Sequence, residues 1–327
     1  MTSALSADAF LCVCLNPVIQ KTLVFDSVRK GEVNRSPEHR VDASGKGVNV
    51  ARVLTQAGRK AIHLTQAGGP TREWFLALCA EDGLDVRWVE SDSDIRFCYT
   101  IIDREGGAAT ELVEEARPVD PGTGARILDA YDGLLDSCRA VIVSGTKAAG
   151  FGGDLVPELA RRAKAAGKLV LLDIKGADLL ASLSARPTVV KPNLAELLAT
   201  WPLRGEGMDG IEELEPAENA KASAKASGRE EALRAHVAAI GKELHARYGA
   251  SLVVTRGARP TWFQDDGILA EQPVEACRPL NPTGSGDAFT AGLAEVLAEG
   301  GSLREAVREG SRLGGLNAGL LRPGSIR

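Results

Sequence analysis

The sequence predicts an α/β fold with a doubly wound, mostly parallel sheet, helices on both faces and a small β-sheet lid. Short apolar runs alternate with segments of helical periodicity, which is typical of a parallel sheet covered on both faces. Two regions break this alternation and resemble half-exposed strands with no helices between them. We expect residues 1–327 to form a single domain, because α/β domains of this length are often single.

The elements of the main body follow from the spacing of the apolar residues. The predicted core strands are Leu11–Leu15, Ala61–Thr65, Ala140–Ser144, Leu169–Asp173, Thr188–Lys191 and Ser251–Thr255. The predicted helices are Lys46–Ala57, Thr71–Asp82, Asp154–Ala166 and Glu230–Tyr248. A last helix is expected to begin at the capping box formed by Ser302 and Glu305.

The lid is expected to come from residues 20–42 and 86–115. Its predicted strands are Gln20–Asp26, Arg35–Val41, Val86–Glu90, Arg96–Asp103 and Thr110–Glu114. A further segment, residues 203–229, is rich in Gly, Glu, Ala, Lys and Ser and has little apolar periodicity. We predict that it is a flexible insertion, in which a helix could start around Glu218 to Ser223.

Composition limits the classes of partner and compartment. The net charge of −5 and the lack of a dense basic run argue against a nucleic-acid partner. No apolar run approaches the length of about 18 residues that a membrane span needs, and the first residues do not form a signal peptide. The six cysteines show no C-x-x-C spacing and no His partner at metal spacing, as expected for reduced thiols. The sequence therefore predicts a cytoplasmic protein without a membrane partner.

The most informative stretch is Asn281–Phe289, in which two glycines flank Ser285 and an apolar helical pattern follows. A glycine-rich turn entering a helix points unpaired backbone N–H groups and the positive end of the helix dipole at one spot, which suits a phosphate. A carboxylate at Asp287 makes chemical sense there as a base for a hydroxyl that attacks phosphorus. The structural alternative is an ordinary helix start with Asp287 in its first turn.

A second glycine-rich stretch surrounds Lys46 but is not a P-loop. The Walker pattern needs glycine where Arg40 stands and Ser or Thr where Gly47 stands. What remains is Lys46 on a glycine-flanked turn, with Asn49 one helical turn later on the same side. Lys46 can neutralise an anion and Asn49 can bind a hydroxyl; an exposed lysine on a capped helix is the alternative.

Polar residues also follow several predicted strands. Asn193 and Glu196 form either a plain capping pair or a polar pair that contacts magnesium through water. Asp173 and the run Thr255–Gly257 end two further strands, at the edge where α/β sheets bind ligands. Each could equally be a loop residue.

Together, these fragments resemble the ribokinase-like (PfkB) family of carbohydrate kinases. Within it they are most similar to the hexose-phosphate branch of 1-phosphofructokinases and tagatose-6-phosphate kinases. The similarity follows the family's order along nearly the whole chain. The matching fragments are Leu15–Gln20, Ser44–Arg52, Arg96–Asp103, Val143–Thr146, Lys191–Glu196, Thr255–Gly257 and Asn281–Asp287.

The resemblance implies a β-clasp lid over the sheet, with ATP and Mg²⁺ as co-substrates. Asp287 would be the catalytic base, and the amides of Gly284, Ser285 and Gly286 the anion hole. The implied sugar-phosphate ligands are Gln20, Gly45, Lys46, Asn49 and Arg96. The implied nucleotide contacts are Lys191, Thr255, Gly257 and Asn317, while Asn193 and Glu196 would order magnesium through water.

Two positions depart from the family pattern. Gln20 stands where the family usually has an aspartate for sugar hydroxyls, so an acceptor is kept but a charge is lost. Ser44 replaces the first glycine of the usual Gly-Gly-Lys-Gly turn and adds a side chain beside the substrate. Phosphoryl transfer should survive both changes, whereas the identity of the sugar stays open.

We therefore expect an ATP-dependent kinase that transfers the γ-phosphate to a primary hydroxyl of a hexose phosphate, of the fructose-1-phosphate or tagatose-6-phosphate type. Lys46 and Arg96 favour an anionic substrate over a free sugar or nucleoside. A catalytically silent sugar-phosphate sensor is the rival from another class, and the intact Gly-Ser-Gly-Asp run speaks against it. The sequence leaves open whether the lid forms a homodimer.

Overall fold

A computed structural model describes residues 8–203, 220–265 and 267–327. Its strands are β1 (Ala9–Val13), β2 (Val18–Phe25), β3 (Glu38–Ser44), β4 (Ala61–Gly68), β5 (Asp85–Ser91), β6 (Arg96–Asp103), β7 (Ala108–Val113), β8 (Cys138–Ser144), β9 (Leu169–Asp173), β10 (Val189–Val190), β11 (Ser251–Arg256), β12 (Arg259–Asp265) and β13 (Ile268–Gln272). Its helices are α1 (Lys46–Gln56), α2 (Arg72–Glu81), α3 (Thr123–Leu135), α4 (Leu155–Ala165), α5 (Gly176–Ser182), α6 (Leu194–Thr200), α7 (Ala220–Tyr248), α8 (Ser285–Ala298) and α9 (Leu303–Ala318).

The larger sheet has nine strands in the order β13-β12-β11-β10-β9-β8-β1-β4-β5. The strands from β11 to β5 pair in parallel, and only β12 and β13 are antiparallel. All six predicted core strands overlap strands of this sheet, and the predicted mostly parallel α/β fold is confirmed.

Helices cover both faces because the central strands are apolar on both sides. In β1, Leu11 and Val13 pack into one core with α3, α4 and α7, whereas Phe10 and Cys12 pack into the other with α1, α8 and α9. This split follows from the two-residue period of a strand, which sends successive side chains to opposite faces. The capping box of Ser302 and Glu305 at the start of α9 is present as predicted.

The smaller sheet has the strand order β3-β2-β6-β7 and matches four of the five predicted lid strands. Its side facing α1 and α2 is apolar: Ile19 and Ala43 pack with Val48 and Phe75. Strand β7 is exposed along its whole length.

The fifth predicted lid strand, Val86–Glu90, is a correction. It is β5, which pairs in parallel with β4 at the edge of the larger sheet. An edge strand is half exposed and alternates like a lid strand, so its pattern is ambiguous. Helix α2 between β4 and β5 is the better signal, because parallel neighbours need a crossover helix.

Two further differences concern the second half of the chain. The hairpin of β12 and β13 was not predicted, although two alternating runs flank Asp-Gly at residues 266–267, a strong hairpin signal. The predicted insertion at 203–229 lies outside the described residues at 204–219. Helix α7 begins at Ala220, within the range given for a helical start, so residues 220–229 form helix and the expectation of a loop is wrong there.

Candidate active site

A cleft of about 240 Å³ opens at the carboxyl ends of the parallel strands. It lies where β1 separates the two directions in which the sheet is wound, the usual ligand position in such folds. Its lining residues are Cys14, Asn16, Gly45, Lys46, Arg96, Gly145, Thr146, Asp173, Ile174, Lys175, Asp178 and Glu196. Gly45, Lys46, Arg96 and Glu196 therefore lie in the cleft, as predicted for site residues.

The turn that presents Lys46 requires glycine on both sides. Gly45 caps α1 with φ 113°, a conformation that disfavours any side chain. A Cβ on Gly47 would lie 2.8 Å from the Cβ of Cys14, so the start of α1 packs directly against the end of β1. This close approach places Lys46 at the floor of the cleft.

Lys46 is already paired with two carboxylates. Its Nζ lies 2.7 Å from Glu196 Oε1 and 3.3 Å from Asp173 Oδ1. Burial lowers the pKa of Lys46, but the carboxylates of Asp173, Glu196 and Asp287 outweigh it and raise the pKa. This pairing does not support the predicted clamp on the sugar's own phosphate; it places Lys46 at the acidic end of the cleft.

Asp173 is the centre of a buried network and is only 1 % exposed. Its Oδ2 accepts hydrogen bonds from Thr290 Oγ1 at 2.9 Å and Ser144 Oγ at 3.2 Å, and Lys191 Nζ lies 3.3 Å away. Burial raises the pKa of Asp173, but the ammonium groups of Lys191 and Lys46 reverse the shift and lower it. Asp173 therefore stays ionised and holds two lysines in place.

Asp287 lies in the first turn of α8 and is 6 % exposed. Its Oδ2 accepts a hydrogen bond from Asn49 Nδ2 at 2.7 Å. Burial raises the pKa of Asp287 to about 7, although Lys46 and Lys191 act in the opposite direction. A carboxyl group that titrates near neutral pH is suited to accept and release a proton at that pH.

Two of the three amides predicted to form the anion hole at the start of α8 are available for a ligand. In the part of the chain that the structure describes, the amides of Gly284 and Gly286 have no backbone acceptor. The amide of Ser285 is a correction, because it donates to the carbonyl of Pro282 at 3.1 Å. The Ser285 hydroxyl, by contrast, is buried without a partner among the described residues.

Asn49 is engaged on both sides of its carboxamide. Its Oδ1 accepts from Ser44 Oγ at 3.1 Å and from Arg52 Nη1 at 2.9 Å, while Nδ2 donates to Asp287. One N–H of the amide remains for a sugar hydroxyl. The main contact of Asn49 in this structure is thus with Asp287.

Arg96 and Gln20 come from strands β6 and β2 of the smaller sheet. Arg96 lines the cleft, its Nη1 donates to the carbonyl of Glu114, and its Nε is buried without a partner among the described residues. Gln20 is buried, and its Nε2 donates to Thr100 Oγ1 at 2.6 Å. Gln20 does not line the cleft, so its contact with the sugar stays a prediction.

Asn193 and Glu196 form a capping box at the start of α6. Glu196 Oε2 accepts from the amide of Asn193 at 3.0 Å, and Oε1 accepts from Lys46. Within residues 8–203, 220–265 and 267–327, no group of three or more His, Cys, Asp or Glu side chains is placed to hold a metal. A carboxylate has about four lone-pair sites, so Glu196 can still accept from metal-bound water.

The fold brings some of the predicted nucleotide residues close to the site and leaves Asn317 buried elsewhere. Lys191 is 3 % exposed, and a Cβ on Gly286 would lie 3.9 Å from its Nζ, so Lys191 sits beside the anion hole. Thr255 lies near the end of β11 and forms a parallel bridge with Asn193, and Gly257 directly follows the strand. Asn317 is fully buried and donates to the carbonyl of Arg322 at 3.1 Å. That placement does not support a nucleotide contact for Asn317.

Sequence reasoning missed two charged residues of the cleft, Lys175 and Asp178. Asp178 pairs with Lys147, whereas Lys175 is exposed on the rim without a carboxylate partner among the described residues. Both lie just after β9, at the edge where Asp173 had already indicated ligand contacts. That position is the signal that could have identified them.

Fold and site together define a phosphotransferase that acts on an alcohol group. Asp287, the amides of Gly284 and Gly286, and Lys191 do not themselves line the cleft. They lie next to its lining residues Lys46 and Asp173, which interact electrostatically with Asp287. Among the described residues, no helix is both long and apolar enough to cross a membrane.

Comparison with known proteins identifies the family. The profile of the pfkB family carbohydrate kinases matches residues 12–321, and the chain therefore belongs to that family. It is similar in structure to a mutant of phosphofructokinase-2 from Escherichia coli, with a TM-score of 0.78, 20% identity and coverage of 98% of this chain and 96% of that one. A 1-phosphofructokinase-like protein from Thermotoga maritima has a TM-score of 0.78 at 17% identity, covering 97% and 95%. The E. coli enzyme in complex with fructose-6-phosphate has a TM-score of 0.74 at 20% identity, covering 95% and 94%.

Proposed function

We propose that this protein is an ATP-dependent kinase that transfers the γ-phosphate to a primary hydroxyl of a hexose phosphate, of the fructose-1-phosphate or tagatose-6-phosphate type. The observation that carries the proposal is Asp287, a buried acid with a pKa of about 7 beside the free amides of Gly284 and Gly286. Family membership makes the enzyme a carbohydrate kinase, and a kinase of this family uses ATP.

Asp287 is the general base in this proposal. Its carboxylate accepts the proton of the sugar hydroxyl as that oxygen attacks the γ-phosphorus. Asn49 holds one carboxylate oxygen, which leaves the other for the substrate. General-base assistance is typically worth about 10²–10⁴ in rate.

The charge that develops on the transferred phosphoryl group is stabilised by groups already oriented in the structure. The amides of Gly284 and Gly286, the hydroxyl of Ser285 and the ammonium group of Lys191 surround the start of α8. We assign these groups to the phosphates of ATP. Thr255 and Gly257 extend the nucleotide site along the same sheet edge.

Magnesium, when bound, would neutralise phosphate charge at the acidic end of the cleft. Asn193 and Glu196 would hold it through water, and the free lone pairs of Glu196 fit that role. Three carboxylates there, Asp173, Asp287 and Glu196, face two ammonium groups, so a cation improves the charge balance.

The cleft also contains cationic side chains that suit an anion. Arg96 and Lys175 both line it, and neither has a carboxylate partner in the described residues. We assign the sugar's own phosphate to these two residues, with Gly45, Gln20 and the remaining N–H of Asn49 near its hydroxyls. The complex of phosphofructokinase-2 with fructose-6-phosphate agrees with this substrate class.

A coupled ADP-release assay tests the function. The panel should contain fructose-1-phosphate, fructose-6-phosphate, tagatose-6-phosphate, the free hexoses and nucleosides. We expect turnover with at least one hexose phosphate and loss of at least about a hundredfold in kcat for Asp287→Asn, with little change in ATP affinity. If only free sugars or nucleosides are turned over, the protein is a free-sugar or nucleoside kinase and the proposed substrate class is wrong. If a hexose phosphate binds without turnover, the protein is a sensor.

Two further features support proposals about assembly and compartment. Leu112 and Val113 on β7 are about half exposed, and we propose that this lid strand forms a homodimer; a phosphofructokinase-2 structure is described as tetrameric. Light scattering of Leu112→Glu should then show the monomer.

The free cysteines Cys12, Cys14, Cys79, Cys98 and Cys138 are buried and unpaired, which supports a cytoplasmic location.

A further inference from the structure

We propose that Ser44 and Arg52 are positioning residues that act through Asn49 on Asp287. The inference rests on the proposed role of Asp287 as the base. Ser44 Oγ and Arg52 Nη1 both donate to Asn49 Oδ1, at 3.1 and 2.9 Å. Asn49 Nδ2 in turn donates to Asp287 Oδ2 at 2.7 Å. We call these four residues the Asn49 lock.

The chemistry of the donors determines which way the carboxamide faces. A guanidinium can only donate, so the group that faces Arg52 must be the oxygen of Asn49. The NH₂ group therefore points at Asp287. A hydrogen bond donated to a carboxylate favours its ionised form, which is the form that a base requires. A flipped amide would present its oxygen to Asp287 and favour the protonated acid.

Arg52 is held rigidly enough for this task. It is 1 % exposed, and its Nε donates to Asp82 Oδ2 at 2.8 Å. Its two terminal nitrogens donate to the backbone carbonyls of Ala43, Pro323 and Gly324. Burying an arginine costs desolvation free energy, so its ion pair alone gives little net stability. Orientation of Asn49 is therefore a more specific role for Arg52 than stabilisation of the fold.

The C-terminal turn packs directly against Asn49 of the Asn49 lock. Gly324 has φ 57°, and a Cβ there would overlap the Cβ of Asn49. Asp82 joins the same cluster, because it also pairs with Arg322 of that turn. Asn49 is thus enclosed on one side by the turn and on the other by Asp287.

Other charged groups face Asp287 and must be considered in any pH dependence. Lys46 comes from α1, Asp173 from β9 and Lys191 from the end of β10, and the thiol of Cys14 lies nearby. None of them contacts Ser44 or Arg52 through a hydrogen bond or ion pair in the described residues. Changes at Ser44 and Arg52 therefore test the path through Asn49.

The test is the pH dependence of kcat/KM for Ser44→Ala, Arg52→Lys and Arg52→Met. We expect the acidic limb to move to higher pH, by about one unit for Arg52→Met and less for Ser44→Ala. At pH 6.5, kcat/KM should fall about tenfold in Arg52→Met and about two- to fivefold in Ser44→Ala. At pH 9 both losses should largely disappear, because Asp287 is then ionised in every variant. The KM for ATP should change less than about twofold.

Arg59→Met is the matched control. It removes an arginine that follows the same helix and pairs with Glu295 and Glu299, and that has no hydrogen bond or ion pair with the four lock residues. We expect its pH profile to equal that of the unaltered protein. Combining Arg52→Met with Asp287→Asn should add no loss beyond that of Asp287→Asn alone.

Two outcomes would overturn the inference: an unmoved acidic limb in Ser44→Ala and Arg52→Met, or a further loss when Arg52→Met is added to Asp287→Asn. Arg52→Lys keeps a donor-only cation and should shift the limb less than Arg52→Met. Should Arg52→Met fail to fold, Ser44→Ala still decides, because it removes a single oxygen. Failure of the proposed function is recognised separately, by normal turnover of Asp287→Asn itself.

Discussion

Lys46 and Glu196, 150 residues apart in sequence, form an ion pair of 2.7 Å across the cleft. The pair links the start of α1 to the start of α6 and places both charges next to Asp173. It therefore joins the segment assigned to the sugar with the segment assigned to magnesium. We therefore propose that Lys46 acts on the transferred phosphate and not on the sugar's existing one.

Lys46→Met should consequently lower kcat for all accepted sugars by a similar factor, because the lost charge stabilises phosphoryl transfer itself. Arg96→Ala and Lys175→Ala should instead raise KM for phosphorylated sugars by about tenfold or more and leave poor free-sugar substrates unaffected. Steady-state kinetics with a hexose phosphate and its free hexose compare the two. If Lys46→Met impairs turnover of phosphorylated sugars selectively, Lys46 binds the sugar's own phosphate, and our assignment is wrong.

Glu196→Gln separates the metal role of this residue from its capping role. Glutamine at the third helical position can still complete a capping box with Asn193, so the fold should be retained. The lost charge should raise the Mg²⁺ concentration for half-maximal activity by about tenfold. Activity titrated with MgCl₂ after EDTA treatment measures this. An unchanged requirement would remove Glu196 from the metal site.

The pH profile of kcat/KM should report the titration of Asp287. Its pKa is raised to about 7 by burial, and the base works only when ionised. Activity should therefore rise from pH 6 to pH 8 with an inflection near 7 in the free enzyme. A plateau already reached at pH 5 would mean that the carboxyl is not desolvated as the structure indicates.

The same titration predicts that the base destabilises the fold. Because the pKa of Asp287 is higher in the folded state than the ordinary value of 3.8, folded protein binds more protons than unfolded chain between these limits. Stability from this group falls as pH rises through that window. Asp287→Asn should thus raise Tm at pH 8 by at least about 2 °C, and the gain should shrink towards pH 4. Thermal unfolding at both pH values, with Asp129→Asn on exposed α3 surface as control, measures it.

The sequence by itself determined the fold class and pointed to the candidate reaction centre. Strand and helix periods are local, so the six core strands, the lid strands other than Val86–Glu90 and the caps of α6 and α9 were all predictable. The glycines around Lys46 and Asp287 were informative for the same reason, since a positive φ or a close approach can be met by little else.

Tertiary structure alone decided how these pieces share their charges. Lys46 meets Asp173 and Glu196 across 127 and 150 residues, and no local pattern specifies a partner at that distance. Strand β5 joined the larger sheet and not the smaller one, because the pairing of strands depends on which segments meet in space. In the sequence, nothing distinguishes Arg52 from other polar residues of α1. Our proposal that it orients Asn49 depends on its burial against the C-terminal turn, which only the tertiary structure reveals.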